Sequence, residues 1–245
     1  MIKVVLFDAD GVALVKHGYF SDRLSSDYRI PTEKIVPFFK NEFRTCQLGK
    51  ADLKHELAKY LTNWNWNKSV DEFLDYWFRT DTITDEEVLV RVQQFRTKGI
   101  KCYLVTDQEK YRAEYIRKNL GFDSKFDDCF FSYEVGYSKA DPEFFRSVLN
   151  RLDARPEEVL YFDDEEKNVQ NALSLDITAK LYSDLKDLEL FNMPTKTAEF
   201  IERLLEMNDS FNKMSANKAQ LPFESPYSSG LCPVGYLAGK GDGKT

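Results

Sequence analysis

The chain has 245 residues, of which 34 are basic and 41 acidic, so its formal net charge is −7, and 42% of its residues are hydrophobic. This composition is typical of a globular protein with a buried core and excludes an intrinsically disordered chain. The negative charge argues against a nucleic-acid partner, and no apolar run approaches the roughly 20 residues that a membrane-spanning helix needs.

The cysteines do not form a metal-binding or disulfide pattern, because they lie far apart in the sequence. They are Cys46, Cys102, Cys129 and Cys232. The segment before the first acidic residue is also too short and becomes acidic too soon for a secretory signal. We therefore expect a reducing, cytoplasmic setting.

Four short apolar segments, and a weaker fifth, are predicted to be β-strands. They are rich in Val, Leu, Ile, Tyr and Phe and are separated by segments with helical spacing. Near-continuous apolar strands that alternate with helices are typical of a parallel sheet covered on both faces. The sequence therefore predicts a doubly wound α/β fold. The predicted strands are residues 3–7, 101–105, 159–162 and 179–182, and the weaker candidate is 128–132.

Helices are predicted between these strands from their capping residues. Thr84 begins a capping-box pattern whose helix stops before Gly99, and Asp141 precedes a proline at the first helical position. The predicted helices are residues 84–98, 107–120, 143–152, 168–175 and 195–207.

Residues 17–81 show helical spacing of apolar side chains and no convincing strand. All three tryptophans lie in this stretch, and we expect most of them to pack its own core. The sequence therefore predicts a core domain of residues 1–16 and 82–207, with a small helical domain inserted after the first strand. Residues 208–245 are rich in Pro, Ser, Gly and Asn and are predicted to be a flexible tail.

Polar residues follow three of the predicted strands directly. Asp8 and Asp10 follow the first strand, Thr106 ends the second, and Asp163 and Asp164 follow a later one. Ligands of an open parallel sheet bind outside the carboxyl ends of its strands, where the loops meet. We therefore expect these side chains to lie close together at one edge of the sheet.

Four carboxylates at one edge would repel one another unless a cation lay between them. A ligand set made only of oxygen atoms favours a hard cation, and magnesium is the natural candidate. Lys139 directly precedes a predicted helix and could neutralise a phosphoryl group, while Thr106 could donate its hydroxyl and main-chain N–H. The sequence therefore predicts a magnesium site with an anion site beside it.

These segments resemble, in order, the four motifs of the haloacid dehalogenase superfamily, in its capped phosphatase branch. The resemblance extends over roughly residues 1–205, and the helical insertion lies where this family has its small helical cap. The matching residues are Asp8-Ala9-Asp10-Gly11-Val12, Thr106, Lys139, and Asp163-Asp164 with Asn168.

The resemblance implies a phosphatase that forms an aspartyl-phosphate. Asp8 would be the nucleophile that attacks phosphorus. Asp10 would protonate the leaving oxygen and then activate water as a base. Thr106 and Lys139 would hold the phosphoryl oxygens. The implied substrate is a small phosphorylated metabolite, with sugar phosphates first.

The resemblance also implies magnesium as the cofactor. Its ligands would be the Asp8 carboxylate, the main-chain carbonyl of Asp10, and Asp164. Asp163 would lie in this coordination shell or next to it. Within the inserted domain, Arg44 and Lys50 could select the substrate, because Gly49 is expected to break a helix there and turn the loop toward the site.

Two positions depart from the family pattern. Asp107 stands where asparagine is common, and Ala140 where proline is common. Neither change removes a catalytic group, and we expect Asp107 to cap the following helix.

Two alternatives remain open: a phosphomutase of the same superfamily, and a non-catalytic protein that binds a phosphometabolite on this fold. A dehalogenase is disfavoured by Asp10, because displacing halide from carbon needs no acid two residues after the nucleophile. A receiver domain is disfavoured by the order of the motifs, since it carries its paired acids in the first loop and is about half as long.

Overall fold

The computed structural model describes residues 1–188. The predicted helix at 195–207, the end of the predicted core domain and the predicted tail at 208–245 lie outside the described residues.

A five-stranded sheet forms the centre of the described chain, and every neighbouring pair of its strands is parallel. The spatial order is β3-β2-β1-β4-β5. The doubly wound α/β prediction is therefore confirmed, including the weaker fifth strand. The strands are β1 (Val4–Phe7), β2 (Lys101–Thr106), β3 (Asp128–Phe131), β4 (Val159–Asp163) and β5 (Thr178–Leu181).

Both faces of the central strand β1 are covered, which explains its unbroken apolar sequence. Leu6 packs on one face in a cluster with Phe144 and Phe145. Phe7 packs on the other face, with its ring centroid 6.0 Å from those of Phe95 and Phe126. The strand is therefore held between two apolar layers, and its carboxyl end is fixed where Asp8 follows.

Five helices follow β1 and make up the helical insertion. Their apolar side chains form a separate cluster in which Trp77 stacks on Phe20 with centroids 4.8 Å apart. Trp64 and Trp66 belong to the same cluster, which confirms that the tryptophans pack the insertion's own core. The helices are α1 (Phe20–Tyr28), α2 (Thr32–Lys40), α3 (Glu42–Gln47), α4 (Leu53–Leu61) and α5 (Val70–Asp81).

Six further helices follow: the first lies between the insertion and β2, and the other five lie between β2 and β5. Short 3₁₀ turns precede β4 at Pro156–Glu158 and follow β5 at Leu185–Leu188. None of the helices within residues 1–188 is long and apolar enough to cross a bilayer. The six are α6 (Glu86–Thr97), α7 (Lys110–Lys118), α8 (Phe122–Lys125), α9 (Ser132–Val135), α10 (Pro142–Leu152) and α11 (Glu166–Leu173).

Three predicted helix starts are wrong, and one of them is that of α11, which begins at Glu166 rather than at 168. Helix α6 is capped by Asp85, whose carboxylate accepts the N–H groups of Glu87 and Val88 at 3.1 and 3.2 Å. The Thr84 hydroxyl instead donates to Glu86 at 2.6 Å. Helix α7 begins at Lys110 rather than at 107, because Asp107 and Gln108 form part of the edge where Asp8 lies and Glu109 caps the helix.

Candidate active site

The register of the sheet brings the predicted site residues to one edge. Phe7 of β1 lies level with Leu104 of β2 and Phe162 of β4, and the N–H of Asp8 donates to the Phe162 carbonyl at 2.9 Å. One residue further along, Asp8 therefore comes level with Asp163.

A buried lysine lies between these two carboxylates. Lys139 Nζ is 2.5 Å from Asp8 Oδ1 and 2.7 Å from Asp163 Oδ2, and all three side chains are at most 6% exposed. Burial alone would lower the pKa of Lys139, but the negative charges of Asp8 and Asp163 outweigh it and raise the pKa well above its usual value. The lysine is therefore a permanent positive charge at the end of β1.

Asp8, Asp163 and Asp164 form an acidic cluster whose nearest carboxylate oxygens all lie within 4.8 Å of one another. This donor set fits magnesium, which prefers oxygen ligands. Asp163 has further partners within the protein, because its oxygens accept hydrogen bonds from the Tyr161 hydroxyl and the Glu165 N–H. The side-chain amide nitrogen of Asn168 also lies 3.2 Å from each of the two Asp163 carboxylate oxygens. Asp164 is paired with Lys16, with 2.5 Å between Oδ2 and Nζ.

Gly11 allows Asp164 to reach this cluster. Gly11 has φ +91°, and a Cβ built there would lie 2.3 Å from Asp164 Oδ2. No side chain fits in that space, so the glycine after the two aspartates is a steric requirement of the acidic cluster.

Gly11→Ala is expected to lower the free energy of unfolding by about 1–3 kcal/mol, because of the left-handed backbone, and also to displace Asp164. We expect weaker magnesium binding, measured by isothermal titration calorimetry. Gly99→Ala is the matched control, because Gly99 has φ +80° and its Cβ would meet nothing within 4 Å. Equal magnesium affinity in the two variants would contradict the steric account.

The carboxylate of Asp10 lies apart from the acidic cluster and is held by other partners. Arg112 binds both oxygens, with Nη1 2.7 Å from Oδ2 and Nη2 2.7 Å from Oδ1, and Gln108 Nε2 donates to Oδ2 at 2.6 Å. Burial by itself would raise the pKa of Asp10, but Arg112 and Gln108 together lower it. Of the four predicted metal residues, Asp10 is thus the one whose carboxylate lies outside the acidic cluster and binds Arg112 instead.

Arg112 and Gln108 were not predicted from the sequence. Helix α7 is rich in charged residues, so Arg112 resembles an ordinary surface arginine. The one available signal is spacing, because Arg112 and Ile116 are four residues apart and both lie on the buried face of the helix.

Thr106 ends β2, and Asp107 follows it beside Lys139. Thr106 is 1% exposed, and its hydroxyl accepts the Gln108 amide at 3.2 Å. The Asp107 carboxylate accepts the main-chain N–H of Lys139 at 2.9 Å, so it does not cap α7 and that prediction is wrong. Its effect is to fix the segment that carries Lys139 against the end of β2.

The site opens into a cavity of about 380 Å³ that is lined by both the sheet edge and the helical insertion. Asp8, Asp10, Thr106, Lys139 and Asp164 line its polar end. The insertion contributes an aromatic wall together with the exposed Arg44. The wall is made of Phe39, Phe43 and Trp77.

Lys50 lies elsewhere, in a second cavity of about 340 Å³ that also contains Cys46 and Glu109. The predicted helix break near Gly49 is confirmed, because α3 ends at Gln47 and Gly49 has φ +69°. A Cβ at Gly49 would lie 2.4 Å from the Tyr133 carbonyl oxygen. The turn therefore packs against the core, and the structure brings Arg44 but not Lys50 into the cavity with Asp8.

Glu109 is the buried cap of α7 and accepts the N–H groups of Tyr111 and Arg112 at 2.7 Å each. Burial raises its pKa to about 7, although the two N–H donors oppose the shift. Since the pKa is lower in the unfolded chain, the folded protein holds the extra proton and loses stability as that proton dissociates.

We expect the wild type to lose roughly 3 kcal/mol of unfolding free energy between about pH 5 and pH 8 through Glu109 alone. In Glu109→Gln this decline should be absent. Urea denaturation at a series of pH values measures this decline in the free energy of unfolding. Glu87→Gln is the control, because Glu87 lies at an exposed position in the first turn of α6. Parallel stability curves for Glu109→Gln and the wild type would show that Glu109 does not titrate in this range.

Two phosphatases are similar to this chain in sequence. The sequence is similar to a phosphorylated carbohydrates phosphatase of Thermotoga maritima, with 27% identity over 184 residues, which cover 72% of this chain and 82% of that protein. It is also similar to the pyrophosphatase PpaX of Bacillus anthracis, with 25% identity over 228 residues, covering 85% and 99% of the two chains.

Solved structures share the fold. The HAD family enzyme BT-2542 of Bacteroides thetaiotaomicron superposes with a TM-score of 0.68 and 19% identity over 78% of this chain and 99% of its own. The same wild-type enzyme, solved with magnesium and inorganic phosphate, gives a TM-score of 0.66 with 19% identity, covering 78% and 100% of the chains. The sequence model of the haloacid dehalogenase-like hydrolases matches residues 2–176. This chain belongs to the haloacid dehalogenase-like hydrolase family.

Proposed function

We propose that this protein is a magnesium-dependent phosphatase that hydrolyses a small phosphorylated metabolite through an aspartyl-phosphate on Asp8. The observation that carries the proposal is the pairing of Lys139 with both Asp8 and Asp163 at the polar end of a cavity that Asp10 and Thr106 also line. The named phosphatases among the relatives support it.

The geometry supports one oxygen of Asp8 as the nucleophile. Lys139 Nζ and the Ala9 N–H both contact Asp8 Oδ1, at 2.5 and 2.7 Å respectively. Oδ2 is therefore the oxygen that we expect to attack phosphorus. The charge of Lys139, together with the Thr106 hydroxyl, would offset the negative charge of the phosphoryl oxygens.

In the first step, Asp8 Oδ2 forms a bond to phosphorus, the bond to the leaving oxygen breaks, and Asp10 gives that oxygen a proton. In the second step, Asp10 takes a proton from water, the water oxygen attacks phosphorus, and phosphate leaves with Asp8 restored. Magnesium, held by the carboxylates of Asp8 and Asp164 and the Asp10 carbonyl with Asp163 in or beside the shell, would reduce the repulsion between Asp8 and a phosphate dianion.

We further propose that residues 17–81 act as a cap over this site. The insertion closes the cavity with its aromatic wall, and Gln47 of α3 donates its side-chain amide to the Asp107 carbonyl at 2.9 Å. A cavity of about 380 Å³ suits a small molecule. The aromatic side chains of this wall can contact a ring-shaped leaving group, which supports a sugar phosphate as substrate. The name of the Thermotoga relative supports the same class.

We also infer a cytoplasmic location. Cys46, Cys102 and Cys129 are buried free thiols, and a chain with unpaired cysteines suits a reducing compartment. The negative net charge supports a small-molecule substrate rather than nucleic acid or an anionic membrane surface.

Arg44→Met is expected to raise KM several-fold with a smaller effect on kcat, because Arg44 lines the cavity from the helical insertion and belongs to none of the motifs at the strand ends. Lys50→Met, which removes the same charge from the neighbouring cavity, is expected to change KM less. Steady-state phosphate release measures both. A larger effect at Lys50 would show that the turn moves toward the substrate.

The proposed function is tested by phosphate release from a panel of phosphorylated sugars, nucleotides, small acids and pyrophosphate, with magnesium and with EDTA. We expect magnesium-dependent release, fastest with a sugar phosphate. If substrate is isomerised without phosphate release, the protein is a phosphomutase. If a sugar phosphate binds in calorimetry but is neither hydrolysed nor isomerised, the protein is a binding protein.

A further inference from the structure

Arg112 is a buried charged group that neither the family motifs nor the proposed chemistry uses. Its side chain is 7% exposed and forms a bidentate ion pair with the Asp10 carboxylate, in which both N···O distances are 2.7 Å. Parallel N–H···O bonds of this kind fix the plane of a carboxylate as well as neutralising it.

The two oxygens of Asp10 are not equivalent in this contact. Oδ2 accepts from both Arg112 Nη1 and Gln108 Nε2, while the Arg112 contact to Oδ1 is a single one through Nη2. Gln108 is itself oriented by Arg112, whose Nη1 donates to Gln108 Oε1 at 2.9 Å. The arrangement occupies Oδ2 and leaves Oδ1 with acceptor capacity for one more proton or donor.

The same guanidinium reaches the segment where the chain returns from the helical insertion. Nη2 donates to the Asp81 carbonyl at 3.3 Å, and Nε donates to the Thr82 hydroxyl at 3.4 Å. The outgoing and returning segments are themselves joined, because the Val15 N–H donates to the Ile83 carbonyl at 2.8 Å. Arg112 thus connects Asp10 to the base of the insertion.

We propose that Arg112 is the positioning residue of the acid–base step: it holds the Asp10 carboxylate with Oδ1 as the proton-transferring oxygen and ties that orientation to the return segment at Asp81 and Thr82. This inference rests on the proposed phosphatase function. Gln108 assists by occupying Oδ2 together with Arg112.

Positioning has a kinetic signature that simple charge pairing lacks. General acid catalysis contributes roughly 10² to 10⁴-fold, and a misplacement of about 1 Å can cost about 10²-fold. The loss depends on the leaving group, because an alkoxide needs a proton to depart whereas p-nitrophenolate does not. A loss of positioning therefore affects alkyl phosphates selectively, while partial unfolding affects all substrates equally.

The test compares kcat/KM for p-nitrophenyl phosphate with that for the alkyl phosphomonoester of the panel that the wild type hydrolyses fastest. For Arg112→Met we expect a fall of about 10²-fold with the alkyl phosphate and less than about 10-fold with p-nitrophenyl phosphate. Arg112→Lys should show the same selective loss with the alkyl phosphate. An ammonium group lacks the planar guanidinium geometry that binds both carboxylate oxygens at once.

Arg117→Met is the matched control. Arg117 lies on the same helix and is paired with Asp123, Asp128 and Glu134, away from the cavity. We expect its ratio of the two kcat/KM values to equal that of the wild type. Since the ratio does not depend on the fraction of folded enzyme, a destabilised Arg112 variant still gives a clear answer.

An unchanged ratio in Arg112→Met, or full recovery in Arg112→Lys, would overturn the inference and leave Arg112 as a structural ion pair. In either case the wild type still hydrolyses phosphomonoesters, so the proposed function stands. Absence of turnover in the wild type with every compound would instead overturn the proposed function, and the inference with it.

Discussion

Asp8→Asn is expected to reduce phosphate release by roughly a thousandfold or more while leaving the fold intact. The amide has nearly the same shape as the carboxylate but is not a nucleophile, so no aspartyl-phosphate can form. Lys139 keeps its contact with Asp163 at 2.7 Å, so the buried positive charge retains a partner. Phosphate release and a thermal melt of the same preparation measure the two effects.

Asp75→Asn is the control for this substitution. Asp75 is 55% exposed, pairs with Arg79 on α5 and lies outside the lining of the site cavity. We expect wild-type turnover from it. Turnover by Asp8→Asn within about tenfold of the wild type would assign the nucleophile to another residue.

Lys139→Met has the second large expected effect, and it falls on stability as well as on activity. Removing one partner of a buried ion pair costs about 3–5 kcal/mol, because the remaining charge is left without compensation. Here two carboxylates, those of Asp8 and Asp163, lose their shared partner. We expect the free energy of unfolding to fall by this amount at pH 7 in urea denaturation, and phosphate release to be lost in the folded fraction.

The chain offers a control ion pair of the same length. Lys3 Nζ lies 2.7 Å from Glu158, but Lys3 is 66% exposed, so Lys3→Met should cost less than about 1 kcal/mol. The double variant Lys139→Met with Asp163→Asn should recover part of the loss, because it removes one of the uncompensated charges. A Lys139→Met variant no less stable than Lys3→Met would show that the buried charges find other partners.

The strands could be predicted from the sequence to within one residue at each end. For β1 and β4 the reason is physical: a strand that is covered on both faces is apolar along its length, and the first charged residue marks its end. The same rule brought Asp8, Thr106 and Asp163 to one edge before the fold was known. The helical character of residues 17–81 could be predicted because its apolar side chains recur at helical spacing, and these side chains form a separate aromatic cluster.

Helix starts and the environment of Asp10 could not be predicted in the same way. Several adjacent residues could cap α6 or α7, and tertiary contacts decide between them: Asp107 holds Lys139, which leaves Glu109 as the cap. Arg112 carries no motif, and its partner Asp10 is 102 positions away in the chain. Such a contact depends on how α7 packs against the site, and the spacing of residues within one segment does not predict it.

The proposed reaction requires a covalent phosphoryl group on Asp8, and this group can be trapped. The Asp10→Asn variant is mixed with p-nitrophenyl phosphate and magnesium, quenched in acid and measured by intact and peptide mass spectrometry. This substrate needs no acid in the first step, whereas water activation in the second step needs Asp10, so the phosphoenzyme should accumulate. We expect the mass of one phosphoryl group on the peptide that contains Asp8, and none with EDTA or in Asp8→Asn. Release of p-nitrophenol without any modified Asp8 peptide would contradict the account.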